Sequence, residues 1–338
     1  MKLLVLTHNY PRFKVDSAGV FIQTLTSGVV QRGVQATILN LWDWKGLHTW
    51  AANIRTLFAL IFQRFDAIHA HWWAPSGLLA ALLKWSRTQL IVTIHRADWE
   101  LVVKWPFLIP LFGFVCARAN VVNFVGGWME EEHRAMFPAA NHQKCKILPM
   151  PISAEFSTQT GESHRSVPPV VMFVGRLIPY KNLPAFLGAV DYAKSRGCAL
   201  QPVVVGKGPD SVLLENRPDV LHLPSVPSHE LADWFRKTSI LVHPASREGY
   251  GMVIAEAMAC GVVPIALRSG GGRDIIKNNE TGFLLDSVDE IAPCLAHLLT
   301  DPAGSGLSRV AAQLAGERGV LDPQFVIDSF IELYRGIS

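Results

Sequence analysis

Glu248-Gly249-Tyr250-Gly251-Met252-Val253-Ile254-Ala255-Glu256 holds two carboxylates eight residues apart, with two glycines just after the first. The run before it, from Ile240 to His243, reads as a short apolar strand. The run after it, from Met252 to Ala259, reads as a helix closed by Gly261. Glu248 therefore falls in a strand-to-helix loop, and Glu256 inside the helix. Loop glycines let backbone N–H groups approach a ligand, and a helix N-terminus carries partial positive charge suited to phosphate. A carboxylate accepts hydrogen bonds from sugar hydroxyls. One such loop suits the phosphates and the hydroxyls of a sugar nucleotide together.

Outward from this stretch, apolar strand-like runs alternate with helical ones. In the second half the strands are Val170–Val174, Gln201–Val205, Val220–Leu223, Ile240–Val242, Val263–Ala266 and Gly282–Leu285. Their helices include Leu183–Ser195, Glu230–Lys237, Met252–Ala259 and Ile291–Leu299. In the first half, Lys2–Thr7, Ala36–Leu41, Ala67–His71, Leu90–His95 and Asn120–Asn123 read as strands. Val20–Arg32, Leu57–Gln63 and Gly77–Trp85 read as helices between them. Nearly continuous apolar runs mark parallel strands buried on both faces, joined by right-handed crossovers. The polar stretch between Pro149 and Pro169 reads as a linker. The chain is thus an α/β protein of two Rossmann-like, doubly wound domains: 1–155, 168–321, and a C-terminal helix, 322–338, returning to the first. Ligands bind outside the carboxyl ends of such strands, which places the site in a cleft between the domains.

Composition narrows the classes. In 338 residues, 49% hydrophobic and 17% charged, there is ample material for two cores. No apolar run reaches the ~18 residues of a membrane span, and Trp105–Ala117 is interrupted by Pro106 and Pro110. The N-terminus enters a strand directly and lacks a signal-peptide pattern. The five cysteines are scattered without a CxxC pair, so neither a disulfide framework nor a zinc site is expected, and a reducing cytoplasm is. Residues 1–160 carry 15 Lys and Arg against 9 Asp and Glu, together with nine of the ten tryptophans. That is either a large core with a solvated basic face or a basic, aromatic surface for an anionic lipid or a sugar acceptor. No Lys/Arg stripe for nucleic acid is present.

Several strand ends carry reactive residues. Gly175-Arg176-Leu177-Ile178-Pro179-Tyr180-Lys181 places a planar fork and a point charge five residues apart, a good pair for a diphosphate. Val205-Gly206-Lys207-Gly208-Pro209 is a glycine turn, but Ser211 stands where a dinucleotide fingerprint needs its third glycine. Ser269-Gly270-Gly271-Gly272-Arg273-Asp274 is a third turn of this kind. Thr93-Ile94-His95-Arg96-Ala97-Asp98 ends a first-half strand: His95 either packs or meets a donor sugar, and Asp98 orients an acceptor or a neighbouring side chain. His69 and His71 form a His-x-His pair without an evident third metal ligand, and packing is the favoured reading.

In its motifs the chain resembles retaining glycosyltransferases of the GT-B fold, the family 4 group with a Glu-x7-Glu motif. The likeness rests on Gly175-Arg176…Lys181, Val205-Gly206-Lys207-Gly208-Pro209, Glu248 through Gly261, Gly270-Gly271…Asp274 and Thr281-Gly282-Phe283-Leu284. Asn9-Tyr10-Pro11, Gly19-Val20-Phe21, Asp66 to His71 and Thr93…His95…Asp98 match more loosely. The resemblance implies roles. Arg176 and Lys181 hold the donor diphosphate, Glu256 the ribose hydroxyls, and Glu248 the transferred sugar or its cationic transition state. His95 touches the sugar, and Gly19 borders the phosphates. Gly175, Gly206, Gly249, Tyr250, Gly251 and Gly271 complete the donor side, with Asp98 and Arg96 toward the acceptor. No metal or other cofactor is implied, and no Asp-x-Asp pair occurs. The implied partners are a nucleotide-diphosphate sugar and a glycan or lipid-linked acceptor, with peripheral contact at the inner face of the membrane.

The departures are Ala18-Gly19 for a glycine pair, Arg96 for a common glycine, Met150-Pro151 for Asn-Gly, Pro224-Ser225 beside the nucleobase pocket, and Asp274 for glutamate. A sugar-nucleotide epimerase of the same architecture and a non-catalytic nucleotide-sugar-binding protein are the alternative readings. A nicotinamide dehydrogenase is disfavoured because no GxGxxG follows Leu6 or Val174.

Overall fold

The computed structural model describes residues 1–10, 19–41, 64–85, 87–156, 166–268, 270–300 and 321–336. Two compact units emerge: Met1–Pro151 with Pro323–Ser338, and Ile152–Asp322. In the first, the order is β1 (Lys2–Thr7), α1 (Val20–Gln31), β2 (Gln35–Asn40), β3 (Ala67–His71), a turn of wide helix at Trp73–Gly77, and α2 (Leu78–Leu83). There follow β4 (Gln89–Ile94), α3 (Arg96–Lys104), α4 (Ile109–Arg118), β5 (Val121–Phe124), α5 (Gly127–Met136) and β6 (Cys145–Ile147). The strands lie in one parallel sheet in the order β2-β1-β3-β4-β5-β6.

The second unit repeats the plan with β7 (Val170–Val174), α6 (Leu183–Ser195), β8 (Gln201–Val205), β9 (Leu221–Leu223), α7 (Ser228–Lys237) and β10 (Thr238–His243). It continues with α8 (Met252–Ala259), β11 (Val263–Leu267), α9 (Gly272–Ile275), β12 (Phe283–Leu285) and α10 (Ile291–Thr300). Its parallel order is β12-β11-β10-β7-β8-β9. Strands β3, β7, β10 and β11 are buried at every position, as their unbroken apolar character requires when both faces of a sheet are covered. In each sheet the order reverses beside a central strand: between β1 and β3, and between β7 and β10. Loops diverge at such a point and leave room for a ligand at the strands' carboxyl ends.

The last helix, α11 (Pro323–Arg335), belongs to the first unit. Gly28 on α1 leaves room for Ile327: a Cβ there would lie 2.3 Å from its Cδ1. Arg32 pairs with Asp328 and donates to Gln324 Oε1 at 2.6 Å. Phe330, fully buried, stacks on His69 with ring centroids 5.2 Å apart.

The expected elements recur with shifted ends, and four were not anticipated. Helices α3, α4 and α5 and the edge strand β6 occupy stretches without a clean period. Cys145-Lys146-Ile147 is half-exposed and too short to alternate. The helix expected at Gly77–Trp85 runs only from Leu78 to Leu83, because Lys84 turns to extended backbone and its Nζ donates to the Arg118 carbonyl and Asn120 Oδ1. Ile152–Phe156 goes with the second unit rather than the first. The Arg236 guanidinium holds the Glu155 carbonyl at 2.6 Å, and Phe156 packs against Phe235. The helix expected at Leu57–Gln63, the linker stretch Ser157–Ser163, residues 11–18 of the first loop, and Ser269 lie outside the described residues.

Truncation of a buried aromatic typically costs about 3–5 kcal/mol. Phe330→Ala is therefore expected to lower the melting temperature of the first unit markedly, followed by calorimetry. A change within error would contradict the seating of α11 on His69.

Candidate active site

At the reversal point of the second unit, β10 ends in His243 and the loop after it brings in Glu248. Lys181, at the end of the turn after β7, donates to Glu248 Oε2. His243 Nε2 lies 3.2 Å from the same oxygen. The His243 side chain is 3% exposed, Lys181 10% and Glu248 20%, so the trio is largely withdrawn from water. Burial alone would raise the Glu248 carboxyl, but the His243 hydrogen bond and the Lys181 charge override it and hold it well below the usual carboxylate range. Burial and the Lys181 charge push His243 down, with Glu248 partly offsetting them. His243 then serves as a neutral N–H donor to the carboxylate. The sequence reading took His243 only as the end of an apolar strand; its polar ring closing a buried strand at the reversal point was the available signal.

Two glycines shape this loop. A Cβ on Gly270 would lie 2.6 Å from the Glu248 nitrogen, and one on Gly271 2.4 Å from the Tyr250 Cα. The α8 and α9 loops therefore meet backbone to backbone, and the Gly271 N–H donates to the Glu248 carbonyl at 2.9 Å. Gly175 and Gly206 do the same for the β7 and β8 loops. A Cβ on Gly206 would lie 1.8 Å from the Gly175 carbonyl oxygen. The Gly175 N–H goes to the Val205 carbonyl, and that of Gly206 to Leu223. These three expected donor contacts thus have their N–H groups engaged within the protein, and their work is to bring loops together. Gly249 and Tyr250 lie buried between Glu248 and Gly251, and Gly251, with φ 92°, opens α8.

Arg176 is exposed beside this cluster, and its Nη2 donates to the Tyr180 hydroxyl at 3.3 Å. The Lys181 ammonium lies 5.6 Å from the Tyr180 ring centroid, so Tyr180 sits between the two cations. Two groups await a partner. The Tyr250 hydroxyl is buried without a hydrogen bond, and burial and the Asp274 charge push it up. Glu256, half-buried one turn along α8, has no side-chain partner among the described residues, and burial pushes it up to about 8. Two glutamates eight residues apart are thus shifted in opposite directions by environment alone, one down beside a cation and one up by burial.

At the reversal point of the first unit a ring cluster gathers. Trp72 follows β3 with φ 68°, an outlying value for a bulky residue. Its ring lies 4.3 Å from His8 and 4.6 Å from His95. His71 Nδ1 is 3.4 Å from His95 Nε2, and His71 Nε2 is buried without a hydrogen bond. Burial, reinforced by the His8 charge, pushes His95 down to about 3, so its ring is neutral at physiological pH. His69 is structural: its two ring nitrogens lie 2.8 Å from the Tyr334 hydroxyl and 2.7 Å from Thr93 Oγ1. Gly19 begins α1 with φ 70°, and a Cβ there would lie 2.1 Å from the Asn9 carbonyl oxygen.

The residues expected on the acceptor side have internal partners. Asp98 is buried, with Oδ1 accepting from the His95 N–H at 2.8 Å and Oδ2 from the Trp73 N–H at 2.8 Å. It fixes the backbone on either side of the ring cluster, a positioning task. Burial raises it to about 7 against those hydrogen bonds. Arg96 grips Glu100 bidentately at 2.8 and 3.1 Å, one turn along α3.

The chain is thus built of two parallel, doubly wound units, one of which pairs a cation with a carboxylate at its reversal point. A glycosyl transferase 4-like domain matches residues 3–149 and the glycosyl transferases group 1 domain matches residues 158–313. Together these cover nearly the whole chain, which belongs to the glycosyltransferases of the GT-B fold. The uncharacterized glycosyltransferase YqgM of Bacillus subtilis is 26% identical over 81% of this chain and 79% of its own length. A D-inositol 3-phosphate glycosyltransferase of Rhodococcus erythropolis is 34% identical over 49% of this chain, and only 41% of that protein is spanned. Among solved structures, sucrose-phosphate synthase of Thermosynechococcus elongatus superposes with a TM-score of 0.78 at 18% identity, over 100% of this chain and 99% of that one. Anabaena HepE in complex with UDP-glucose gives 0.72 at 15% identity, over 99% and 100%.

Glu256 makes a prediction about stability. Its folded pKa, about 8, lies above the unfolded value near 4.3. Between those values the folded state binds more protons, so its contribution to stability falls as pH rises. Melting curves from pH 5 to pH 8 are expected to decline more steeply for the wild type than for Glu256→Gln. Parallel profiles would contradict the burial of this carboxyl.

Proposed function

We propose that the protein transfers a sugar, with retention of anomeric configuration, from a nucleotide-diphosphate sugar to a hydroxyl of a glycan or lipid-linked acceptor in surface polysaccharide or glycoconjugate synthesis. The observation that carries this is the Lys181–Glu248–His243 cluster at the reversal point of the second unit, flanked by exposed Arg176 and followed along α8 by partnerless Glu256. The UDP-glucose of the structurally similar HepE supports a nucleotide sugar as donor.

Arg176 and Lys181 take the diphosphate and stabilise the negative charge that grows as it leaves. Sharing Lys181 between the phosphate and Glu248 leaves that carboxylate free to face the positive charge developing on the sugar. Glu256, ionising as it accepts from ribose hydroxyls, anchors the nucleoside. The bond from the anomeric carbon to the phosphate oxygen breaks while the acceptor oxygen bonds to that carbon from the same face, and the departing phosphate oxygen takes the acceptor's proton. Positive charge comes from the two side chains and the N-terminus of α8, and no metal is required.

The acceptor side fits a membrane surface. Leu101, Val103, Trp105, Phe107, Leu111 and Phe114 are exposed along α3, the turn after it, and α4, with Lys104 beside Trp105. No single described helix is long and apolar enough to cross a membrane. The pair Arg96–Lys104 and Pro106–Arg118 is apolar enough together but bent by 107°. Such a surface lies along the lipid interface, its aromatics at headgroup level. On this reading the protein works in the cytoplasm, peripherally at the inner face of the membrane.

Arg176→Ala and Lys181→Ala are each expected to lower kcat by about 10²–10³-fold. Arg176→Ala should leave the melting temperature unchanged, because its side chain is exposed. Near-wild-type turnover in both variants would overturn the assignment, as would an inverted anomeric configuration in the product read by NMR. Phe107→Asp is expected to reduce co-flotation with anionic liposomes, and unchanged flotation would remove the membrane contact.

A further inference from the structure

A second cluster lies outside this site, at the far edge of the first sheet. His133 stands in the last turn of α5. The chain turns back through residues 137–141, makes a tight helical turn at His142–Lys144, and enters β6 at Cys145. One ligand atom from each of His133, His142 and Cys145 lies within 4.8 Å of the other two. His133 Nδ1 is 3.9 Å from Cys145 Sγ, and the two imidazoles meet edge to face with centroids 5.5 Å apart. His142 Nδ1 is buried without a hydrogen-bond partner, an unfavourable state for an imidazole nitrogen unless a ligand meets it. The His133 ring is held in place by Phe124 at 5.2 Å and Phe137 at 5.1 Å.

We propose that His133, His142 and Cys145 bind a zinc-class ion. Two imidazole nitrogens and one thiolate form a borderline-soft donor set, which suits zinc and disfavours magnesium or calcium, whose ligands are oxygens. Ligand atoms around a tetrahedral zinc sit about 3.3–3.7 Å apart, given bonds of about 2.0–2.3 Å. From a spread of up to 4.8 Å, the widest pair would therefore close by about 1.1–1.5 Å around the ion. His133 and Cys145 also line a cavity of ≈ 390 Å³, walled by Phe112, Cys116, Phe137 and Lys144, with room for a fourth ligand such as water. On binding, the Cys145 S–H bond breaks, its proton leaves to solvent, and the thiolate electron pair goes to the metal with no change of oxidation state. The ion would clasp the end of α5 to the edge strand β6, and its ligands are distinct from the Lys181, Glu248 and His243 of the candidate active site.

The test uses the full chain, purified without a metal-affinity tag, equilibrated with Zn(II) and passed over chelating resin. One zinc per chain by elemental analysis is expected, along with a higher melting temperature. The Co(II) form should show a thiolate-to-cobalt charge-transfer band and the intense visible bands of tetrahedral cobalt. His142→Ala, which removes a half-exposed side chain, and Cys145→Ser should each abolish the retained metal and the charge-transfer band, while Cys198→Ser should retain both. No retained metal in the wild type, or metal retained equally by His142→Ala and Cys145→Ser, would overturn the proposal.

Discussion

A carboxylate withdrawn from water needs a cation and a hydrogen-bond donor, and the second unit is arranged around meeting that need at Glu248. Lys181 comes from the turn after β7, His243 from the end of β10, and Glu248 from the loop that follows. Removing one partner of such a pair costs about 3–5 kcal/mol, because the remaining charge is stranded. The three side chains therefore constrain two neighbouring strand ends to one spacing. Close backbone contacts of Gly206 with Gly175 and of Gly270 with Glu248 bring the β8 and β11 loops against the same strand ends, where no Cβ fits. Under the proposed function, a diphosphate would meet Lys181 already positioned and the exposed Arg176 beside Tyr180.

The two units use the same topology for different electrostatics. In the second, the reversal point gathers full charges of both signs. In the first it gathers neutral rings: burial keeps His69, His71 and His95 from protonating, and Trp72 packs against His95. An uncharged, aromatic wall suits the face of a sugar ring, whereas the charged cluster suits phosphate. Asp98 sustains the first arrangement by tying the backbone of Trp73 to that of His95. The unusual Trp72 backbone is fixed by its N–H to the Thr93 carbonyl and its carbonyl to the Gly77 N–H, so any strain there is borne by the fold.

Much of this was legible in the residues. Val170–Val174 and Gln201–Val205 read as buried parallel strands because both faces are covered, and they are found with those bounds. The two cations after β7 and the two acids around α8 are visible in the spacing, whereas the Lys181–Glu248 pair is not. Other features depend on tertiary packing. Nothing local distinguishes a glycine that binds phosphate from Gly175, Gly206 or Gly271, whose N–H groups serve neighbouring loops. His243 is hidden by the apolar run it ends, and Asp98 stays open between an acceptor and a neighbouring group because one of its partners, Trp73, is distant in sequence. The cluster of His133, His142 and Cys145 escaped because its spacing follows no zinc motif and the turn at 137–141 brings it together.

The most direct measurement is thermal denaturation of the full chain in EDTA against UDP, GDP, ADP and their sugar conjugates. A ligand at 100 times its Kd adds about 2.7 kcal/mol of stability. The account predicts that one nucleotide series raises the wild-type melting temperature without added metal, and that Glu256→Ala loses the shift. A melt unmoved by every nucleotide, or a shift that needs a divalent cation or survives in Glu256→Ala, would contradict a donor site built from Lys181, Glu248 and Glu256.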